Sequence, residues 1–418
     1  MQTNLYAFLA TLVPALLAGC TQEAPKPMTP RFSAEDVKQA TARLRASAGL
    51  VRADNQFGFE VFRQLHAGEP QRNLLTSPTS IAIALTMTYN GARGETRTAM
   101  AKTLGLGNLS TDAVNAGNKD LRAVLLGADP KVNLDVANSL WIRQGYEIEK
   151  PFLDLNRTYF DAKITNLDFA SPNAAETIND WVSAATRTRI PKIVDEIRRD
   201  SVMFLINAVY FKGSWQEPFE KEATQDGDFY SPNGKVTAKM MSQWGENRYA
   251  KGDGYQMVRL PYGDGRLGMT ILLPDRRDGL SELIAKLDGV TWSDWTGKLR
   301  SKSGRVRIPR WRSEFDVVLN DTLGALGMGI AFDPSKADFT GMRAGGEMYI
   351  GQVRHKTFVD VNEEGTEAAA VTSVEMKATS APAPEEPFDF LADRPFLYTI
   401  DDSATGAILF VGILNSPA

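Results

Sequence analysis

The order of hydrophobic periods along the chain is what most limits its fold. From residue 74 to 127 apolar residues recur largely at helical spacing, punctuated at Asn90-Gly91, Gly105 and Gly107. Strands follow, as L-D-V-A-N-S-L-W-I (134–142) and M-F-L-I-N-A-V-Y-F (203–211). Beyond residue 200 most segments are short and β-like, among them M-T-I-L-L-P (269–274), V-R-I-P-R-W (306–311), H-K-T-F-V-D-V (355–361) and A-I-L-F-V-G-I-L (407–414). Helices first and strands later predict an α+β fold. No internal repeat is present, and no linker after residue 50 separates two units, so 51–418 reads as one large domain.

Two helix starts are legible. Ser33 with Asp36 forms a capping box ahead of Val37, Ala40, Thr41 and Leu44, which predicts a short helix. A second helix is expected to begin at Asp54 or Asn55 as cap, burying Phe57, Val61, Phe62 and Leu65.

With 418 residues, 43% of them hydrophobic and 23% charged, the chain can bury a sizeable core. A net charge of −4 without a long basic block does not favour nucleic acid as a partner. Cys20 is the only cysteine, which excludes an internal disulfide and a cysteine-based metal cluster, so packing must supply stability. No His-rich metal pattern, P-loop or G-x-S-x-G elbow occurs, and any catalytic triad would have to use His66 or His355. The expectation is a protein that is not an enzyme and carries no metal or cofactor.

The N-terminal run L-Y-A-F-L-A-T-L-V-P-A-L-L-A-G-C (5–20) is about 16 residues of mostly apolar character, the length of a secretory core rather than of a membrane span. After it, T-Q-E-A-P-K-P-M-T-P (21–30) holds three prolines in ten residues and suits a tether. Leu17-Ala18-Gly19-Cys20 resembles the bacterial lipobox, which implies cleavage before Cys20 and lipid on its sulfur. The expected layout is a signal peptide over 1–19, a lipidated cysteine, tether and short helix over 20–50, and the main domain over 51–418. Thr21 is not the aspartate that often retains lipoproteins at an inner membrane, so the expected place is an outer membrane, on its periplasmic face or at the cell surface, or outside the cell.

Residues 363–378 read E-E-G-T-E-A-A-A-V-T-S-V-E-M-K-A, followed by the proline-broken S-A-P-A-P-E-E-P. As a strand, Thr366, Ala368, Ala370, Thr372, Val374, Met376 and Ala378 share one face, while Glu367, Ser373, Glu375 and Lys377 dominate the other. Pro382, Pro384 and Pro387 lack the amide donors that a ladder needs, so the same stretch also reads as an exposed, protease-accessible loop. Gly365 supplies a pivot before small inward residues. A strand that is also a loop can insert.

Six segments together resemble the serpins: N-L-L-T-S-P-T-S-I-A-I-A-L (73–85), N-G-A-R-G-E-T (90–96), N-A-V-Y-F-K-G-S-W (207–215), R-V-R-I-P-R-W (305–311), H-K-T-F-V-D-V-N-E-E-G-T-E-A-A-A (355–370) and A-D-R-P-F-L-Y (392–398), in serpin order. The resemblance covers about residues 51 to 418. It implies about nine helices and three β-sheets with an exposed reactive-centre loop over about 363–388, and a suicide-substrate inhibitor of serine proteases. In such inhibitors a protease cleaves the loop to an acyl-enzyme, and the loop then inserts into sheet A with release of stored strain, a transition for which serpins are a standard example.

Residue by residue, the resemblance makes Glu363, Glu364, Gly365, Thr366, Glu367, Ala368, Ala369, Ala370, Val371 and Thr372 the hinge. The family's usual count of seventeen from Glu363 puts the scissile bond between Thr379 and Ser380, with Met376, Lys377 and Ala378 as alternative specificity residues. A small residue there suits elastase-like or subtilisin-like targets, Lys377 a trypsin-like one, and papain-like cysteine proteases are cross-class candidates. Ser77, Ser80, Asn207 and His355 match the shutter beneath the opening of sheet A, and Trp215 the breach where the loop enters. The implied partners are a target protease and, through the lipid, a membrane; the chain is expected to be a monomer. The alternative is a non-inhibitory binding or chaperone protein on the same fold.

Overall fold

The computed structural model describes residues 32–47, 49–197, 201–366 and 386–417. The chain opens with α1 (Ala34–Ala46), α2 (Gly49–Gly68), β1 (Leu74–Thr76), α3 (Pro78–Tyr89), α4 (Gly94–Thr103) and α5 (Thr111–Leu126). Then come β2 (Val132–Arg143), α6 (Lys150–Phe160), β3 (Lys163–Leu167), α7 (Ala174–Ala185) and β4 (Met203–Ser214). The strand-rich half holds β5 (Gln225–Ser231), β6 (Gly234–Gly252), β7 (Tyr255–Pro261), β8 (Leu267–Pro274), α8 (Leu280–Ala285), α9 (Gly289–Thr296), β9 (Arg300–Pro309) and β10 (Trp311–Val318). It ends with α10 (Asn320–Leu323), β11 (Gln352–Asn362), β12 (Gly365–Thr366), β13 (Phe388–Leu391), β14 (Phe396–Asp402) and β15 (Ile408–Leu414).

The α+β class expected from the order of periods holds, with two hydrogen-bonded sheets among the described residues. One has the order β10-β11-β12-β4-β2-β3, the other β1-β15-β14-β8-β7-β6-β9-β13 with β5 on β6. The three sheets that the resemblance implies appear as two hydrogen-bonded ladders among the described residues because β6 is 19 residues long. It pairs β5 through its first part, β9 through its middle and β7 at its end, joining two layers into one ladder.

Residues of β4 are covered on both sides, which is why M-F-L-I-N-A-V-Y-F runs almost without a polar break. Phe204, Ile206 and Ala208 pack with Ile178 and Val182 of α7. Leu205 joins a second core with α3 residues, and Val209 and Phe211 join the core between the sheets. Helix α3 begins with Pro78, whose missing amide costs nothing at a helix start, and every residue from Pro78 to Tyr89 is buried. It touches both β4 and β15, so it lies between the sheets. Gly58 lets α2 approach it; a Cβ there would stand 2.2 Å from Cβ of Pro78.

The capping box at Ser33 is present, with Asp36 N–H donating to Ser33 Oγ and Ser33 N–H to Asp36 Oδ2, each at 3.1 Å. Val37, Ala40 and Leu44 are buried and α1 packs along α5, with Arg43 paired to Asp120 at 2.6 Å. The second helix starts earlier than the expected cap. Leu50, Val51 and Ala53 extend its apolar face toward the N-terminus, so α2 begins at Gly49 and Asp54 is buried inside it. Burial holds the Asp54 carboxyl well above the usual carboxylate range. Asn55 uses its amide elsewhere, donating to Gly406 O at 2.8 Å and accepting from Ile408 N at 3.0 Å.

Candidate functional site

Strands β4 and β11 run parallel as direct neighbours from the pair Phe204–Gln352 to the pair Tyr210–Phe358. Beyond Tyr210 and Phe358 they part, and β12 enters the fork antiparallel to both. Thr366 faces Gly213 on one side and Val361 on the other, and Gly365 faces Ser214 and Asn362. Glu363 and Glu364 make the turn between β11 and β12. Their carbonyls accept from Phe219 N at 2.9 Å and Trp215 N at 3.0 Å. Gly365 has φ +146°, and a Cβ there would stand 2.1 Å from Gly213 O, so the close approach of backbones requires glycine.

Of the residues expected to form the hinge, Gly365 and Thr366 lie in this fork and Glu363 and Glu364 in the turn that leads into it. Glu367, Ala368, Ala369, Ala370, Val371, Thr372, Met376, Lys377, Ala378, Thr379 and Ser380 lie outside the described residues, as does Cys20.

Trp215 is 4% exposed and stacks on Tyr262 with ring centroids 4.4 Å apart and planes 10° from parallel. Its indole Nε1 donates to Asn362 O at 2.9 Å. The Tyr262 hydroxyl shares a 2.7 Å hydrogen bond with Thr366 Oγ1, and burial pushes that phenol far up, so it stays protonated. Glu363 is 2% exposed, and its carboxylate accepts from Arg310 Nη2 at 2.5 Å and Thr224 Oγ1 at 2.6 Å. Burial alone would push this carboxyl up, but the bonds from Arg310 and Thr224 together outweigh it and hold the group below the usual range. Glu364 pairs with Lys221 at 2.5 Å. The turn is thus clamped from β4, the segment after it, and the β9–β10 junction.

Ser77, Ser80, Asn207 and His355 meet further down the two strands, below the fork. Ser77 N–H donates to His355 Nε2 at 3.1 Å, so that nitrogen is the acceptor and Nδ1–H donates to Asn207 Oδ1 at 2.5 Å. The Asn207 amide donates to Asn138 Oδ1 at 2.6 Å and to Ser80 Oγ. His355 is wholly buried, and burial pushes its imidazole down to about 3, so it is neutral at neutral pH. The cluster ties β2, β4, β11 and α3 together. A cavity of about 980 Å³ flanks β2 and reaches Ser77, Ser80 and Asn138.

Sequence reasoning does not reach Asn138, Thr224, Lys221, Tyr262 or Arg310. Asn138 carries a usable signal, a polar residue inside the otherwise apolar strand run 134–142. Thr224, Lys221 and Tyr262 carry none, because they meet Glu363, Glu364 and Thr366 across more than a hundred residues of chain, and Arg310, though inside the family-like segment 305–311, meets Glu363 across 53.

The second histidine, His66, places Nε2 3.3 Å from Ser281 Oγ, but its Nδ1 is buried with no hydrogen-bond partner. That contact lacks the carboxylate which orients the base of a triad. Among the described residues no group of three or more His, Cys, Asp or Glu side chains is placed to hold a metal, and no helix is long and apolar enough to cross a membrane.

The family model described as serpin (serine protease inhibitor) matches residues 52–417. An uncharacterized serpin-like protein of Thermococcus kodakarensis is 36% identical over 373 residues, covering 88% of this chain and 86% of its own. The human leukocyte elastase inhibitor is 34% identical over 385 residues, covering 88% of this chain and 99% of its own. Among solved structures, the thermophilic serpin tengpin in its native state superposes with a TM-score of 0.80 at 32% identity, over 88% of this chain and 94% of that one.

Proposed function

The chain belongs to the serpin family, and from that premise we propose that it inhibits serine proteases as a suicide substrate whose reactive loop, once cleaved, inserts between β4 and β11. The observation that carries this reading is the fork, whose mouth is already filled by Gly365 and Thr366 in antiparallel register with both flanking strands. Inhibition also accords with the leukocyte elastase inhibitor among the relatives.

The chemistry asked of this chain is small. A protease serine attacks the carbonyl of Thr379, the amine of Ser380 leaves, and an acyl-enzyme remains on the loop. Insertion must then outrun deacylation. It replaces one parallel pairing, β4 with β11, by two antiparallel ladders, and each added main-chain hydrogen bond contributes about 0.5–1.5 kcal/mol net. A run of about 15 residues at roughly 3.3 Å each carries the acyl-enzyme about 50 Å.

Register makes the reading specific. Six residues past Thr366 is Thr372; six before Gly213 is Asn207; six before Val361 is His355. An inserted Thr372 stands between Asn207 and His355 and its hydroxyl takes up the partners their separation leaves. The cavity beside β2 is where that strand can shift as the sheet opens. Export and lipid attachment at Cys20 belong to the same proposal and are supported by the leader and lipobox-like pattern alone.

The test is incubation of the chain with elastase, subtilisin, trypsin, chymotrypsin and papain, followed by a denaturing gel and mass measurement of the released peptide. A band at the summed mass with a peptide beginning at Ser380 supports trapping and locates the bond. Clean loop cleavage without that band for every protease would make the chain a substrate or binder on a serpin fold.

A further inference from the structure

Trp244 is 62% exposed, whereas Trp215, Trp292, Trp295 and Trp311 are buried. It sits on β6 opposite Arg305 of β9, and Arg305 in turn is opposite Asp389 of β13. Directly opposed residues share a face, so Trp244, Arg305 and Asp389 form a row across three strands, about 10 Å long. The adjacent row is Ser242, Arg307 and Leu391. A cleft of about 570 Å³ lies beside these rows, lined by Ser242, Arg305, Arg307 and Leu391 with Asp226 and Asp228 of β5.

Among the described residues, the charges of this face are compensated with one exception. Asp226 pairs with Lys239 at 2.8 Å, Asp228 with Lys235 at 3.2 Å, and Arg307 with Asp389 at 2.7 Å. Arg307 still has a buried Nε without a partner. Arg305 is exposed and makes no ion pair or hydrogen bond among the described residues. An exposed indole beside an uncompensated guanidinium is the side-chain pairing that dominates the centres of protein interfaces.

The occupant follows from where β13 lies. It is the strand on which the chain returns from the reactive loop, and Asp389 is nine residues past Ser380, so the proposed scissile bond is at most about 31 Å of extended chain from the row. A protease domain of about 220 residues has a radius of gyration of about 17 Å. A protease engaged on that bond therefore has its surface within reach of β6 and β9.

Resting on the inhibitory reading, we infer that Trp244 and Arg305 form a secondary docking surface for the target serine protease, receiving an apolar side chain flanked by a carboxylate. This surface governs encounter and selectivity; trapping itself is the work of the loop and sheet.

Binding without chemistry separates the two. Pancreatic elastase and subtilisin, each with its catalytic serine replaced by alanine, are titrated onto the full-length chain in detergent, with association followed at several salt concentrations. Trp244→Ala and Arg305→Glu should each weaken binding roughly tenfold, and Arg305→Glu should also flatten the salt dependence of association. Val290→Ala, which trims another exposed apolar residue (71%) on α9, should stay within about twofold of wild type. Affinities of Trp244→Ala and Arg305→Glu within twofold of wild type, or no binding of either inactive protease by the wild-type chain, would overturn the inference. Active proteases report separately on the parent reading: docking that depends on Trp244 without a covalent complex defeats trapping and keeps the surface, while trapping with unchanged docking does the reverse.

Discussion

Asn207 of β4 and His355 of β11 face each other in register and are joined by a 2.5 Å hydrogen bond. The two strands that would part in the proposed insertion are therefore held by a buried side-chain link as well as by their ladder. Breaking that link leaves polar groups in the core, and an unmade buried hydrogen bond costs about 1–3 kcal/mol. An inserting strand has to present something that restores it.

In the proposed insertion, continuing the register of Gly365 and Thr366 would bring Thr372 there. Thr372→Val, which keeps the shape and removes the hydroxyl, is expected to reduce the gain in melting temperature that follows loop cleavage. Thr372→Arg is expected to abolish that gain and turn the chain into a plain substrate. Melting curves of intact and loop-nicked protein decide; an undiminished gain in the arginine variant would show that insertion stops short of the Asn207–His355 level.

Acid should loosen the same point. Burial pushes His355 down to about 3 from an ordinary value of 6.5. Between those values the unfolded chain binds a proton that the native fold excludes. The contribution is thus fully present above about pH 6.5 and is lost as pH falls, by at most about 1.4 kcal/mol per pH unit. Urea midpoints of wild type and His355→Gln between pH 4.5 and 8 should show a steeper acid decline in wild type. Parallel profiles would remove His355 from the account.

Glu363 should hold the turn closed. Glu363→Ala leaves Thr224 and Arg310 without their acceptor and is expected to cost about 1–3 kcal/mol, the lower part of the range being favoured because Arg310 is 46% exposed. Glu363→Gln keeps an acceptor for one donor and should cost less. Urea unfolding of the two variants, with hydrogen exchange at Trp215 and Phe219, whose amides donate to the turn carbonyls, would reveal an intact turn in both if the clamp were unimportant.

Asp54 should be a liability. It is 2% exposed, its Oδ2 has no partner, and burial raises its carboxyl well above the usual range. A raised folded value means that stability present below the unfolded value, near pH 4, is lost as pH climbs through the folded one. Asp54→Asn should therefore melt higher than wild type at pH 7, with the advantage shrinking toward pH 4. Equal melting temperatures across that range would indicate an unseen partner for the carboxylate.

The strands β4, β8 and β15 are legible in the sequence because their apolar runs are nearly continuous, β2 and β11 because β-formers recur among polar residues, and α1 because its capping box is local. Trp215 and His355 are legible through the segments that resemble the family, not through any chemistry of their own. The start of α2 is displaced from its expected cap for a physical reason: Asp54 has the composition of a cap, and only the packing of Leu50, Val51 and Ala53 shows that the helix has already begun. The joining of layers through β6 is hidden because a long strand can change partners along its length without any sequence mark.

By itself the sequence determined the class of fold, the absence of an internal disulfide, and an alternation of small and polar residues beginning at Gly365. Those depend on local period, composition and backbone freedom, which neighbours in the chain suffice to set. Tertiary structure alone decided that the alternation starts inside a fork between β4 and β11, that Arg310, Thr224 and Tyr262 hold its first residues, and that Asn207 meets His355 below it. Each of those contacts joins segments far apart in the chain, where only the closing of the sheet brings a donor to its acceptor.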